Sequence, residues 1–261
     1  MKISAVVAQT RVSWDIQRNL AAISAALAGT RPGELVVLPE AAVSGYDDEL
    51  SGLAALDGDA VRAGIDRVAE QAQTRGIHIF CGSLLPEEDG WTNAALYLAP
   101  DGSRQVYRKV NLASHERGRL AAGQRLPLIE MRFDGQPLLA GIQLCREISF
   151  PEQWRYLASA GAQLLVYLTY AVNPAWPADV WRSHLISHAA ASQRFVLAAN
   201  AADPRQHCPS AIISPRGEVA GELPPAQAGL LRAVVDTAEC SDRYLSQRRE
   251  DLLSLAYLGA E

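Results

Sequence analysis

Apolar residues recur along this chain in two forms: short unbroken runs, and longer stretches repeating at helical spacing. Ile3–Gln9 reads as a strand. Behind the capping candidates Ser13 and Asp15, Ile16, Leu20, Ile23 and Leu27 share one helical face until Gly29 ends the pattern. Glu34–Leu38 is an unbroken apolar run, as expected of a strand covered on both faces. A second helix fits Asp59–Arg75, with Val61, Ile65, Val68 and Ala72 aligned and Gly76 behind it. Strands are predicted over Ile77–Gly82, Thr92–Leu98 and Arg104–Val110, the last two joined by a turn at Pro100–Gly102. The second half repeats the order: strand Leu138–Cys145, helix Pro151–Ala160, strand Gln163–Thr169, helix Ala178–Gln193 and strand Phe195–Asn200. Ala211–Ser214 and Val219–Glu222 then flank a turn at Pro215–Gly217. A doubled strand–helix order of this kind predicts two similar helix-on-sheet layers packed together. The stretch Ser241–Glu261 carries Tyr244, Leu245, Leu252, Leu253 and Tyr257 but has no evident slot in either half.

Composition narrows the picture. The 261 residues are 49% hydrophobic and 20% charged, a globular balance that excludes disorder. No Ser/Gly linker divides them, so residues 1–261 are expected to form a single domain. Twenty-four basic against 29 acidic residues give −5, with no basic block, which argues against nucleic-acid or membrane-surface partners. The first apolar run is too short for a signal segment or a membrane span, and the expected location is cytoplasmic. Cys81, Cys145, Cys208 and Cys240 are widely separated, so no zinc site or disulfide framework is expected.

Three polar residues end apolar strands: Glu40, Lys109 and Cys145. Ligands of α/β proteins bind at the carboxyl ends of strands, and a carboxylate, an ammonium and a thiol converging there would make a nucleophilic site. Glu40 could take the thiol proton and Lys109 could stabilise an anionic intermediate, while the backbone N–H of Arg146 could face the same oxyanion. Taken singly, each residue has an ordinary reading: a small buried thiol, a solvated acid, a surface lysine. His184 and His188 lie four apart on one predicted helix, but Leu185 stands where a metalloprotease base would be, so an ordinary helix face is expected. A Cys–His dyad could pair Cys145 with His115 or His207, although no local signature accompanies it. Tyr170, Trp176 and Trp181 read as packing residues first and pocket walls second, and Cys81 as core.

Taken together, Leu38–Tyr46, Tyr107–Leu112 with Glu116 and Gly123, and Gly141–Glu152 resemble the motif segments of the nitrilase superfamily, the carbon–nitrogen hydrolases. Ser210–Glu218 and Arg248–Leu252 resemble its later landmarks. The resemblance implies an α/β fold, a four-layer α-β-β-α sandwich, with Glu40, Lys109 and Cys145 catalytic and Glu116 a second glutamate near the lysine. It implies a homodimer or higher homo-oligomer, with the 241–261 tail at a subunit interface, and needs no cofactor or metal. Departures from the family pattern are Glu147 for the usual aspartate, Ser149 for an arginine, Ala191–Ser192 for a Glu–Asn pair and Asn111 for a histidine. Tyr46, Arg146 and Tyr170 are candidate substrate-binding residues; Arg146 reads equally as a carboxylate ligand or a structural arginine. The expected activity is a thiol amidohydrolase that cleaves a non-peptide C–N bond of a small amide through a thioester. An N-carbamoyl amide hydrolase, a nitrilase and a non-catalytic binding protein on the same scaffold are the alternatives.

Overall fold

The computed structural model describes residues 1–259 apart from 89 and 255. The two halves of the chain build two six-stranded sheets of matching order. In the first half, β1 (Lys2–Gln9), β2 (Leu35–Val37) and β3 (His78–Glu87) run parallel, and β4 (Gly90–Leu98) and β5 (Arg104–Arg108) continue antiparallel. In the second, β7 (Gln136–Leu144), β8 (Leu164–Leu168) and β9 (Phe195–Ala199) are parallel, and β10 (Ala211–Ile213) and β11 (Val219–Glu222) follow antiparallel. Each sheet gains one further antiparallel edge strand, β6 (Leu128–Phe133) beside β7 and β12 (Gly229–Asp236) beside β1. β12 thus returns the end of the second half to the first sheet.

Helices α1 (Ile16–Leu27) and α2 (Gly58–Arg75) pack outside the first sheet; α3 (Pro151–Ser159) and α4 (Ala178–Ser192) pack outside the second. The aligned residues Leu20, Ile23, Val61, Ile65 and Val68 bury against the outer face of the first sheet. Asp15 caps α1 by accepting the amides of Gln17 and Arg18, an arrangement worth about 1 kcal/mol. Between the sheets, Val7, Val37 and Phe80 meet Ile142, Val166 and Leu197 in a second, mainly apolar layer. The result is the four-layer α-β-β-α sandwich that the family resemblance implies, in agreement with the doubled order.

The structure corrects several expected boundaries and adds two strands. β3 runs on past Gly82 through Pro86 to Glu87, pairing in register with β4 down to Gly90. β5 stops at Arg108 rather than Val110. β6 and β12 have no counterpart in the sequence reading because both are edge strands with mixed exposure, so neither forms a clean apolar run. The tail does find contacts on its own chain. Arg194, after α4, pairs with Asp242 and donates to the Ser241 carbonyl, and Tyr257 stacks on Tyr156 of α3 at 4.9 Å. Leu252, Leu253 and Leu258 stay exposed. Among the described residues no helix is long and apolar enough to cross a membrane.

Candidate active site

Four chain segments leave the sheets at one end of the sandwich and carry the candidate residues there. Glu40 follows β2, Lys109 follows β5, Cys145 follows β7, and Thr169 and Tyr170 follow β8. Gly82 lets β3 pass beneath the first of these: a Cβ there would lie 2.4 Å from the Ala41 amide nitrogen and 2.5 Å from the Glu40 Cα. Ala41 and Cys145 both take left-handed backbone angles, φ +50° and +42°. That geometry costs about 1–3 kcal/mol in a non-glycine residue and persists only where its surroundings enforce it. It turns Glu40 and Cys145 sharply out of their strands.

Glu40, Lys109 and Glu116 form one fully buried ionic cluster. The Lys109 ammonium lies 3.0 Å from Glu40 Oε1 and 2.9 Å from Glu116 Oε2. The lysine is therefore not the surface residue that its strand-end position alone suggests. Asn93, near the start of β4, donates from Nδ2 to both carboxylates, at 2.7 Å each. Glu40 also accepts the Tyr170 amide at 2.7 Å, and Glu116 accepts the Ala113 amide at 2.6 Å. The Tyr46 hydroxyl donates to Glu116 at 2.7 Å and sits 2.6 Å from His115 Nε2. Tyr46 thus holds the second glutamate, and its side chain is itself buried.

These bonds fix the charges. Burial works against the Lys109 ammonium, but Glu40 and then Glu116 outweigh it and hold its pKa above the ordinary lysine value. Burial also opposes the Glu116 carboxylate, yet Lys109, Asn93 and the Ala113 amide bring its pKa below normal. The Cys145 thiol is pushed up to about 12, first by burial and next by Glu40, with Lys109 pulling the other way. At neutral pH the thiol therefore keeps its proton until a base removes it.

The Cys145 corner is pinned on both sides. The Tyr167 hydroxyl donates to the Cys145 carbonyl at 2.7 Å, and Glu147 Oε2 accepts the Leu144 amide at 2.7 Å. The Thr169 hydroxyl is buried beside the thiol. Cys145 opens a single 3-10 turn to Ser149, and N–H groups at the start of such a turn have no acceptor within it. The Arg146 guanidinium lies over the rings of Trp176 and Trp181, at 5.6 and 5.8 Å. Trp181 is buried core and Trp176 is half exposed. Tyr170 lines a cavity of about 240 Å³ with Asp47, Asp48, Glu49, Val172 and Arg205.

The remaining candidates take structural places. His188 stacks on Trp154 at 4.3 Å with Nε2 on the Ile148 carbonyl, and His184 stacks beside it. His115 is engaged with Tyr46, and His207 Nδ1 accepts the Asn173 amide, so neither forms a dyad with Cys145. Cys81 is buried among the apolar residues outside the first sheet. Asn93 was not singled out in the sequence, and Glu147 only as a departure from the family pattern. The available signals were an asparagine inside the apolar run Thr92–Leu98, and an acid two residues after Cys145.

Known proteins share the family and the fold of this chain. The family model for carbon–nitrogen hydrolases matches residues 3–243. The chain is 29% identical to a 2-oxoglutaramate amidase of Bacillus subtilis over 229 residues, 82% of each protein. It is 32% identical to a hydrolase of Pseudomonas protegens over 251 residues, 91% of this chain and 86% of that one. Among solved structures, an amidase from Nesterenkonia superposes with a TM-score of 0.80 at 25% identity, covering 96% of this chain and 94% of that one. A variant of the same amidase has been solved with acrylamide added covalently at its active-site cysteine, with a TM-score of 0.79 at 25% identity, covering 96% and 98%. With its fold and most of its length matched in this way, the chain belongs to the carbon–nitrogen hydrolase family, within the nitrilase superfamily of amidases and nitrilases.

Proposed function

We propose that the protein is a thiol amidohydrolase that opens the C–N bond of a small amide through a thioester on Cys145. The observation that carries this reading is the buried Glu40–Lys109–Glu116 cluster whose charges reach the Cys145 thiol. The cluster carries one net negative charge. Moving the thiol proton to Glu40 leaves that sum unchanged, because the new thiolate replaces the lost carboxylate. The nucleophile is thus made without adding charge to a buried site, where an extra unpaired ion is costly.

In the first step Cys145 Sγ bonds to the amide carbon and the carbonyl electron pair moves onto oxygen. The Lys109 ammonium and the Arg146 N–H stabilise that oxyanion. Glu40 passes the thiol proton to the leaving nitrogen, the C–N bond breaks, and ammonia or an amine departs. Water then gives a proton to Glu40 and attacks the thioester, and the carboxylic acid and the thiol are restored with the proton returned to sulfur. Glu116 and Asn93 keep Lys109 and Glu40 in place, and Tyr46, Arg146 and Tyr170 border the bound acyl group.

The Bacillus relative's activity makes a carboxylate-bearing amide one reasonable substrate. A panel of butyramide, 2-oxoglutaramate, N-carbamoyl amines and aliphatic nitriles, assayed for ammonia release, tests the reading. Turnover of an amide supports it, and turnover of nitriles alone overturns it. The protein is also read as a homo-oligomer joined partly through the tail from Ser241, whose Leu252, Leu253 and Leu258 are exposed. Light scattering that gives a monomer at micromolar concentration rejects this.

A further inference from the structure

We propose that Glu147 is a positioning residue that sets the spacing between the Cys145 thiol and the Lys109 ammonium by clamping their two backbone segments together. This rests on the roles just given to those two residues. Cys145 and Lys109 leave different sheets, and the layer between those sheets is mainly apolar, with contacts that carry little direction. Glu147 supplies a directional tie between the two segments that bear Cys145 and Lys109, in addition to the bonds of Glu40 with the Tyr170 amide and of Gln105 with the Glu130 backbone. Its Oε2 accepts the amide of Leu144, the residue before the nucleophile, at 2.7 Å. Its Oε1 accepts the amides of Val110 and Asn111, the two residues after the lysine, at 2.9 and 3.0 Å. The Tyr107 hydroxyl, two residues before the lysine, donates to the same oxygen at 2.6 Å. One carboxylate thus brackets Lys109 on both sides and holds the corner from which Cys145 projects.

The clamp is itself fixed. Glu147 is fully buried, and its own carbonyl accepts the Trp154 indole N–H at 2.9 Å. No lysine or arginine forms an ion pair with it among the described residues, so backbone dipoles and a phenol compensate its charge. A buried acid serving only packing would be replaced by an amide at little catalytic cost. Here an amide fails for a stated reason. If the Gln oxygen serves the three donors around Lys109, its NH2 group meets the Leu144 N–H, donor against donor, at the nucleophile corner. Misplacement of reacting groups by about 1 Å can cost on the order of a hundredfold in rate.

The test compares Glu147→Gln and Glu147→Asp with wild type and with Cys145→Ala. The substrate is whichever panel amide releases ammonia fastest, and iodoacetamide is the thiol probe. Glu147→Gln is expected to lose about a hundredfold in kcat with KM within about threefold. Its Cys145 alkylation should change in rate and in pH profile. Glu147→Asp keeps the charge but is one methylene shorter, so it holds one side of the clamp; an intermediate loss of kcat is expected, again with KM retained. Thermal melts and the fraction of alkylatable Cys145 correct both values for unfolded protein, and the Asp variant decides alone if the Gln variant does not fold. Near-normal kcat in the folded variants, or losses that vanish after this correction, overturn the proposal. If Cys145→Ala is dead while the Glu147 variants are normal, only the clamp fails; if Cys145→Ala turns over normally, the proposed function fails instead.

Discussion

The two sheets share one topology but divide the site unequally. The first contributes the charge: Glu40, Lys109 and Asn93, with Tyr46 and Glu116 from its loops, all closed in a buried network. The second contributes the thiol, on a strained corner, together with the N–H groups beside it. Nature's repeat of one fold has not produced a repeat of one site. A doubled architecture brings two sets of strand ends together, and chemistry that needs unlike groups, a base and a nucleophile, can draw one from each. The consequence is that catalytic geometry depends on how the sheets are held to each other.

Breaking the thiol half has the largest expected effect. Cys145→Ala should abolish ammonia release, whereas replacing Cys81, Cys208 or Cys240 should leave at least part of it. Cys81 and Cys208 are buried, and burial raises both of their thiol pKa values, Cys81 to about 12. Activity assays on the four variants check this directly.

Breaking the charged half while conserving its charge comes next. Lys109→Arg should lose at least about a hundredfold in kcat, the usual cost of a misplaced oxyanion donor. A guanidinium is larger, planar and spreads its charge, while the buried space holds a compact ammonium within 3.0 Å of two carboxylates. Steady-state kinetics with a thermal melt separates this from a folding defect.

The tie between the halves should set an acid limit on activity. Burial pushes the Glu147 carboxyl up to about 6 in spite of its four donors. As pH falls through about 6 it takes up a proton, one oxygen becomes a donor, and the clamp loosens. The ionisable groups facing it keep their charge state there, since Tyr107 is held protonated by burial and Lys109 is held charged by its carboxylates. The kcat–pH profile should fall below about pH 6, and Glu147→Gln should lack that limb.

How legible this was differs between the halves' parts. The strand ends bearing Glu40 and Cys145 followed apolar runs, and the helical faces of α1 and α2 repeated cleanly, so both the layers and those residues could be read. Edge strands could not: Leu128–Phe133 alternates Glu130 and Arg132 with its buried residues, and Gly229–Asp236 is buried chiefly at Val235. Burial of Lys109 was hidden because it depends on two carboxylates, Glu40 and Glu116, that lie 69 and 7 residues away in sequence. The role of Glu147 was hidden for a related reason. Three of its four donors are backbone amides, which every residue possesses and no side-chain pattern announces.

A smaller effect belongs to the scaffold of both halves. His78, in the first sheet, and His188 and His207, in the second half, are each pushed down to about 4 by burial. The unfolded chain therefore binds more protons between about pH 6.5 and pH 4. The stability these neutral rings provide is complete above pH 6.5 and is lost as pH falls toward 4. The melting temperature should decline across that window, and His188→Gln, which removes one of the three rings, should make the decline shallower.

The most direct measurement is to quench the enzyme in acid during turnover of its fastest amide and map acylated peptides by mass spectrometry. The mass of the acyl group is expected on the peptide containing Cys145 and on no other, and is expected to be absent from Cys145→Ala. Acylation of a different residue in turnover-competent enzyme, or undiminished turnover by Cys145→Ala, would contradict the assignment of the nucleophile to the second sheet.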